Sequence, residues 1–211
     1  MNDTIKPLIA FDLGGVLIDW DPRYLYRKLF SGDDAAMERF LVEICSPAWN
    51  VQQDAGRPLA VATEELVLRY PRQEELIKAF YARWEEMLGG AIEASVEILR
   101  EVKNLGFPVV ALSNWSMETF PLARKHYNFL TWFDDMVISG EEKVAKPDPE
   151  IYRILLRRTA REAKDCIFID DSLMNIDAAE SLGFVTIHYQ SPDQLREKLS
   201  LLYPSLAVLN T

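Results

Sequence analysis

The 211-residue sequence predicts an α/β fold, a Rossmann-like doubly wound parallel sheet core carrying a small all-helical cap domain. Three observations predict it. An apolar run of strand length, Leu8-Ile9-Ala10-Phe11, ends in Asp12 and a Gly14-Gly15 turn. From residue 108 onward, short apolar strands alternate with amphipathic helices, which implies a parallel sheet covered on both faces. Between these parts lie about seventy residues with helical periodicity and no strand signal, far too many for a crossover loop. The expected division is a core of residues 1–17 and 89–211 and a cap of residues 18–88.

The elements follow in order. Asp21-Pro22 marks a helix start, because the aspartate oxygen accepts from free amides and proline lacks a donor that would go unused there. Helices are expected over 22–30, 33–45, 59–70 and 72–88. Each has apolar residues three and four apart, such as Phe40, Leu41 and Ile44, or Leu76, Phe80 and Trp84. The stretch from Trp49 to Arg57 is the most polar and least periodic part of the cap. It reads either as a segment facing a substrate or as a helix connection ended by Gly56. Gly89-Gly90 closes the cap. Ile92, Val96, Leu99 and Val102 then draw one apolar stripe on a helix closed by Gly106. Strands are expected at 108–112, 136–138, 166–169 and 184–187, with helices at 117–127, 149–159, 175–182 and 192–202.

Composition narrows the function. A net charge of −10 argues against a general nucleic-acid or membrane-surface binder, while leaving room for a local basic pocket. Cys45 and Cys166 are far apart in sequence and read as reduced core thiols. The first residues lack the basic region and apolar core of a secretory signal, and no run reaches membrane-spanning length. A cytoplasmic location is expected.

In a parallel sheet the carboxyl ends of the strands converge on one crevice. The first strand delivers Asp12 there, the second Ser113-Asn114, and the strand at 166–169 delivers Asp170-Asp171-Ser172. Lys146 follows the third strand. Taken singly, each residue also reads as a turn, a helix cap or a solvated charge. Taken together they are chemically coherent: clustered carboxylates repel unless a cation neutralises them, and an oxygen-only donor set suits magnesium. Ser113 and Lys146 then offer a hydrogen bond and a fixed positive charge to phosphoryl oxygens.

Four segments carry a resemblance: Phe11-Asp12-Leu13-Gly14-Gly15-Val16-Leu17, Leu112-Ser113-Asn114, Val144 to Tyr152 with Lys146-Pro147-Asp148-Pro149, and Phe168-Ile169-Asp170-Asp171 through Asn175. In this order and spacing they resemble the motifs of the haloacid dehalogenase-like hydrolase superfamily over essentially the whole chain. The Asp-Leu-Gly opening is similar to that of its glucose-1-phosphatase-like branch. The resemblance implies that Asp12 is a nucleophile forming an aspartyl-phosphate intermediate. It also implies that Asp12, the carbonyl of Gly14 and Asp171 hold magnesium, with Asp170 as ligand or behind the ligands. Asn175 stands where many relatives have an acidic or amide residue. Ser113, Asn114 and Lys146 are implied to bind the phosphoryl group of a small phosphate ester, sugar phosphates included, under a cap that excludes water.

One position departs from the pattern. Many phosphatases of the superfamily carry a second aspartate two residues after the nucleophile, as acid to the leaving alcohol and base to water. Here that position is Gly14. Asp19 and Asp54 are candidates to replace it. The departure keeps two other readings open: a metal-free 2-haloacid dehalogenase with Asp12 displacing halide, and a weakly active binding or regulatory protein on the same fold. Asp170-Asp171 speaks against the dehalogenase, because an acidic pair is a poor neighbour for an anionic haloacid. His126 and His188 read as helix-end and strand-end residues, and Trp115 as either a pocket wall or a packed aromatic.

Overall fold

The structure is a computed structural model, and it describes residues 6–203. A five-stranded, all-parallel sheet forms its centre: β1 (Leu8–Phe11), β4 (Val109–Ser113), β5 (Asp135–Ile138), β6 (Cys166–Asp170) and β7 (Val185–His188), in the order β5-β4-β1-β6-β7. Side chains alternate across the pleat, so Ile9 and Phe11 enter one apolar cluster while Leu8 and Ala10 enter the other. The first cluster takes Ile98, Leu99 and Val102 of α6 (Glu93–Asn104) and Leu195 and Leu199 of α11 (Pro192–Leu202). The second takes Ile151, Tyr152 and Leu155 of α9 (Pro149–Thr159) and Ile176 and Ala179 of α10 (Leu173–Ser181). Helices thus cover both faces, and the strands need no polar side, as their continuous apolar runs require.

Between the first and second strands of this sheet the chain makes a two-stranded antiparallel ribbon, β2 (Ile18–Trp20) with β3 (Leu88–Ala91). Five helices are strung between its strands: α1 (Arg23–Leu29), α2 (Asp34–Glu43), α3 (Pro47–Asp54), α4 (Leu59–Arg69) and α5 (Glu74–Ala82). The ribbon adds to the expected architecture. Three residues are too few to show alternation, and their pairing is made by partners about seventy positions away. Two further expectations are corrected. The polar stretch 49–57 is mostly helix, because Ser46 caps α3 at the Trp49 amide and Pro47 occupies its first turn. The region 72–88 divides into a short 3-10 turn, α5, a second 3-10 turn (Trp84–Met87) and β3, since its last residues are drawn into the ribbon. After β4, α7 (Phe120–His126) starts three residues later than expected, and a single turn, α8 (Ser139–Glu142), follows β5.

The inserted helices carry an aromatic centre that extends the first apolar cluster of the sheet. Tyr26 packs on Phe40 at 5.0 Å between ring centroids, and Phe80 lies 5.2 Å from Trp49 and 5.0 Å from Tyr81. Both cysteines are buried and free, as expected. Among the described residues no helix is long and apolar enough to cross a membrane.

Because Phe80 is 1% exposed and touches three rings, Phe80→Ala leaves a cavity that its neighbours cannot close. The expected loss is about 3–5 kcal/mol of unfolding free energy, measured by urea denaturation.

Candidate active site

Strand β1 is central, flanked by β4 and β6, so the chain leaves it toward opposite sides of the sheet; in open α/β sheets that switch in strand order opens the ligand crevice. Asp12 follows β1, and its main-chain amide donates to Ile169 of β6 at 2.9 Å. On the other side Ser113, the last residue of β4, donates its hydroxyl to Asp12 Oδ1 at 2.7 Å. The Leu13 amide also donates to Oδ1, at 2.7 Å. Lys146 reaches the same place from the loop before α9. Its ammonium lies 2.9 Å from Asp12 Oδ2 and donates to Asp170 Oδ2 at 2.6 Å and to the Leu112 carbonyl at 2.8 Å. Three donors meet three acceptors.

The expected residues therefore converge, though in different ways. Asp12, Ser113, Lys146 and Asp170 are one buried constellation; Lys146 is 2% exposed and Asp12 7%. The side-chain amide of Asn114 is engaged with the main chain of Lys146: its Nδ2 donates to the Lys146 carbonyl at 2.9 Å and its Oδ1 accepts the Lys146 amide at 2.8 Å. It positions the lysine. Asn175 donates its amide to both oxygens of Asp170, at 3.0 and 3.1 Å, and the Ser172 main-chain amide adds a third donor at 2.8 Å. Asp170 thus has all its acceptor capacity turned toward the protein, while Asp171 beside it is exposed.

The charges set the protonation states. Burial pushes the Asp12 carboxyl up to about 7; Lys146 opposes this, nearby Asp170 reinforces it, and the Ser113 hydroxyl favours the ionised form. Burial by itself pulls the Lys146 ammonium down, but Asp12 and Asp170 outweigh it and hold the group above its usual value. Asp171 is raised by partial desolvation and by Asp170.

The residues fit a divalent cation. One carboxylate oxygen each of Asp12, Asp170 and Asp171 lie within 4.8 Å of one another, and all the donors are hard oxygens. Gly15 is required by the approach of Asp171: it has φ +75°, and a Cβ there would stand 2.3 Å from Asp171 Oδ2. At Gly14, by contrast, a Cβ would meet nothing within 4 Å. Its side opens into a cavity walled by Trp20, Tyr81, Trp84 and Trp115, with Asn50, Asp54 and Asn114 at its polar edge.

Two of these residues come from the polar stretch 49–57. Asn50 and Asp54 are four apart on α3 and share one helix face, while Trp49 turns into the aromatic centre. Asn50 donates to Asp54 Oδ2 at 2.9 Å, and Tyr81 donates its hydroxyl to Asn50 Oδ1 at 3.0 Å. The signal for Asn50 was its spacing to Asp54; Tyr81 had none, because its place depends on how α5 packs on α3. Asp19 lines an adjoining cavity that shares Trp20, Asn50, Asp54 and Asn114 with this one but does not border Gly14, and its carboxylate accepts from the Tyr24 hydroxyl at 2.6 Å beside Gly89, where a Cβ would collide with it. Trp115 is both wall and packed aromatic, 5.6 Å from Trp84 and 5.7 Å from Phe120. His126 pairs with Glu85 at 2.7 Å, and His188 meets the Asp171 carbonyl at 3.0 Å.

The sequence is 27% identical over 191 residues to a sesquiterpene phosphatase of Aspergillus oryzae, covering 89% of this chain and 91% of the relative. It is 24% identical over 178 residues to (S)-2-haloacid dehalogenase 1 of a Pseudomonas species, covering 84% and 74%. The magnesium complex of a HAD family enzyme from Bacteroides thetaiotaomicron superposes with a TM-score of 0.67 at 26% identity, covering 89% of this chain and 94% of that one. The sequence pattern of haloacid dehalogenase-like hydrolases matches residues 6–183, and on that match over most of its length the chain belongs to this hydrolase family.

Proposed function

We propose that the protein is a magnesium-dependent phosphatase that hydrolyses a small phosphorylated metabolite through an aspartyl-phosphate intermediate on Asp12. The observation that carries this reading is the trio of clustered carboxylates Asp12, Asp170 and Asp171 with a single buried ammonium, that of Lys146, paired to the first two. Three carboxylates with one fixed cation suit a metal-bound phosphate dianion. They suit a 2-haloacid less, since its own carboxylate would enter a field short of positive charge. Phosphatase and dehalogenase relatives both occur, so support for the phosphatase reading comes from the donor set rather than from the fold.

In this reading Asp12, the Gly14 carbonyl and Asp171 would hold magnesium, with Asp170 as ligand or behind the ligands, and the ion would neutralise charge on the nucleophile and the phosphoryl group. Asp12 attacks phosphorus. Ser113 holds the Asp12 carboxylate by its hydroxyl and turns to a phosphoryl oxygen when substrate enters. Lys146, fixed in place by Asn114, supplies positive charge to the phosphoryl group. Residues 18–88 act as the cap and residues 1–17 and 89–211 as the core. The cavity walls favour an alcohol with an apolar face: four aromatic rings line it, and the indole N–H groups of Trp20 and Trp115 are buried without a partner among the described residues. A sugar ring meets those terms, and so does a sesquiterpene group, the substrate class in the name of the Aspergillus relative.

Four outcomes test the reading. Phosphate release from 4-nitrophenyl phosphate requires magnesium and is lost, by at least about 10³-fold, in Asp12→Asn, whereas halide release from a 2-haloacid with Asp12 intact and metal chelated would favour the dehalogenase. Magnesium raises the melting temperature more at pH 8 than at pH 5. The sign follows from Asp12: with its carboxyl pushed up to about 7, the folded apo protein binds protons more tightly than the unfolded chain, so apo stability falls as pH rises from about 4 toward 7, and the ion compensates only where the carboxylates are free. Asp171→Asn diminishes that magnesium shift. Finally, Lys146→Met leaves two buried carboxylates uncompensated and costs about 3–5 kcal/mol at neutral pH by denaturant unfolding, part of which Asp170→Asn restores.

A further inference from the structure

We propose that Asp54, carried by the cap helix α3, is the proton donor and acceptor of the reaction, in place of the acidic residue that position 14 lacks. This rests on the phosphatase reading with Asp12 as nucleophile. The geometry behind it is the shared cavity. Position 14 is on the nucleophile's own turn, its side faces open space, and Asp54 borders the same space from the cap. Tyr81 from α5 is the other titratable side chain lining that cavity among the described residues, and burial raises its phenol, which keeps it neutral. Glu118, nearby after β4, is engaged by the Leu59 main-chain amide at 2.8 Å.

Asp54 is held for such a role. Gln53 donates to the Tyr81 hydroxyl at 3.2 Å, Tyr81 to Asn50, and Asn50 to Asp54 Oδ2, so one oxygen of the carboxyl is oriented by a chain of hydrogen bonds. The main chain of Asp54 is tied to the core: its carbonyl accepts from the Ser139 hydroxyl, and Ser139 Oγ accepts the Trp115 amide at 2.9 Å. Gly56, with φ +95°, ends the helix against the Gly140 carbonyl, where a Cβ would stand 3.2 Å away. The cap helix is therefore pinned to the loop after β5 at the point where Asp54 looks into the site. Burial pushes the carboxyl up to about 7, so both protonation states are populated at neutral pH, as an acid that later becomes a base requires.

The steps balance. Asp12 Oδ forms a bond to phosphorus while the ester P–O bond breaks, its electron pair going to the leaving oxygen, which takes the proton of Asp54. The products are an alcohol, aspartyl phosphate and the Asp54 carboxylate. Water then gives a proton to Asp54 and its oxygen bonds to phosphorus. The acyl-phosphate P–O bond breaks, its electron pair returns to Asp12, phosphate leaves, and Asp54 is protonated again.

The test is single-turnover kinetics of the full chain with magnesium on two esters of similar size, phenyl phosphate and 4-nitrophenyl phosphate, the second having the better leaving group. Asp54→Asn is expected to slow phosphorylation by phenyl phosphate by about 10²-fold or more and by 4-nitrophenyl phosphate by less than about tenfold. With the nitrophenyl ester it gives a burst of one equivalent of nitrophenol followed by slow turnover, since no base hydrolyses the intermediate. Gly14→Asp in the Asp54→Asn background restores the phenyl phosphate rate by at least about tenfold. Equal losses on both esters, no loss on either, or a folded double variant that restores nothing overturns the assignment. Asp54→Ser, which keeps a hydroxyl facing Asn50, repeats the comparison if Asp54→Asn does not fold. Wild type active and Asp12→Asn inactive, with Asp54→Asn unchanged, removes Asp54 alone; an inactive wild type removes the phosphatase reading and this one with it.

Discussion

The Lys146 ammonium is the interaction on which the rest of the site depends. It is buried among Asp12, Asp170 and the Leu112 carbonyl, with the Phe168 ring 5.4 Å away. Burying one ammonium costs several kcal/mol unless every donor is satisfied, and three acceptors at the ends of three neighbouring strands satisfy it here. The same charge lets two carboxylates stand side by side in the centre of the sheet edge. Asn114, Asn175 and Ser172 then act on this pair rather than on solvent, one fixing the lysine and two saturating Asp170. Of the carboxylates here Asp171 is exposed and Asp12 keeps 7% of its surface open, while the Ser113 hydroxyl is given to Asp12.

The sheet explains why those groups meet. Its strand order puts β4 and β6 on either side of β1, so residues 101 and 158 positions from Asp12, Ser113 and Asp170, become its lateral neighbours. Because the strands are apolar on both faces, register slippage by one residue would turn Ile9 and Phe11 out of one cluster and Leu8 and Ala10 out of the other. The precision of the site is thus inherited from core packing. The inserted helices solve a different problem. Their aromatic centre is continuous with the apolar cluster on one face of the sheet, and the Ser139 bond to Asp54 with the Gly56–Gly140 contact brings α3 down onto the strand ends. The result is an aromatic-walled chamber next to a highly charged floor, a division suited to a substrate with one anionic end and one apolar end.

Much of this was legible before any coordinates. The apolar strands, the amphipathic helices 149–159 and 192–202, and the stripe of Ile92, Val96, Leu99 and Val102 reflect local periodicity, which burial enforces directly. Asp12, Ser113, Asp170 and Asp171 were legible jointly, as polar residues at the ends of buried strands of one sheet, and Lys146 through its place in the third of the four segments that carry the family resemblance. The ribbon of Ile18–Trp20 with Leu88–Ala91 was not, being three and four residues long and paired at long range. Nor was the helicity of 47–54, where a polar face toward a cavity dilutes the apolar period.

What the sequence by itself determined was the set of chemical groups, their attachment to strand ends and the absence of an acid at position 14. Those depend on composition and on patterns a few residues long. Only tertiary structure decided between Asp19 and Asp54 as bordering the space beside Gly14. Both are aspartates near a turn or helix end, and nothing local separates them. The Tyr24 hydroxyl takes the first, while α3, held by Ser139 and Tyr81, carries the second into the cavity. Side-chain type is written in the chain, but which side chain faces which space is settled by the packing of segments distant in sequence.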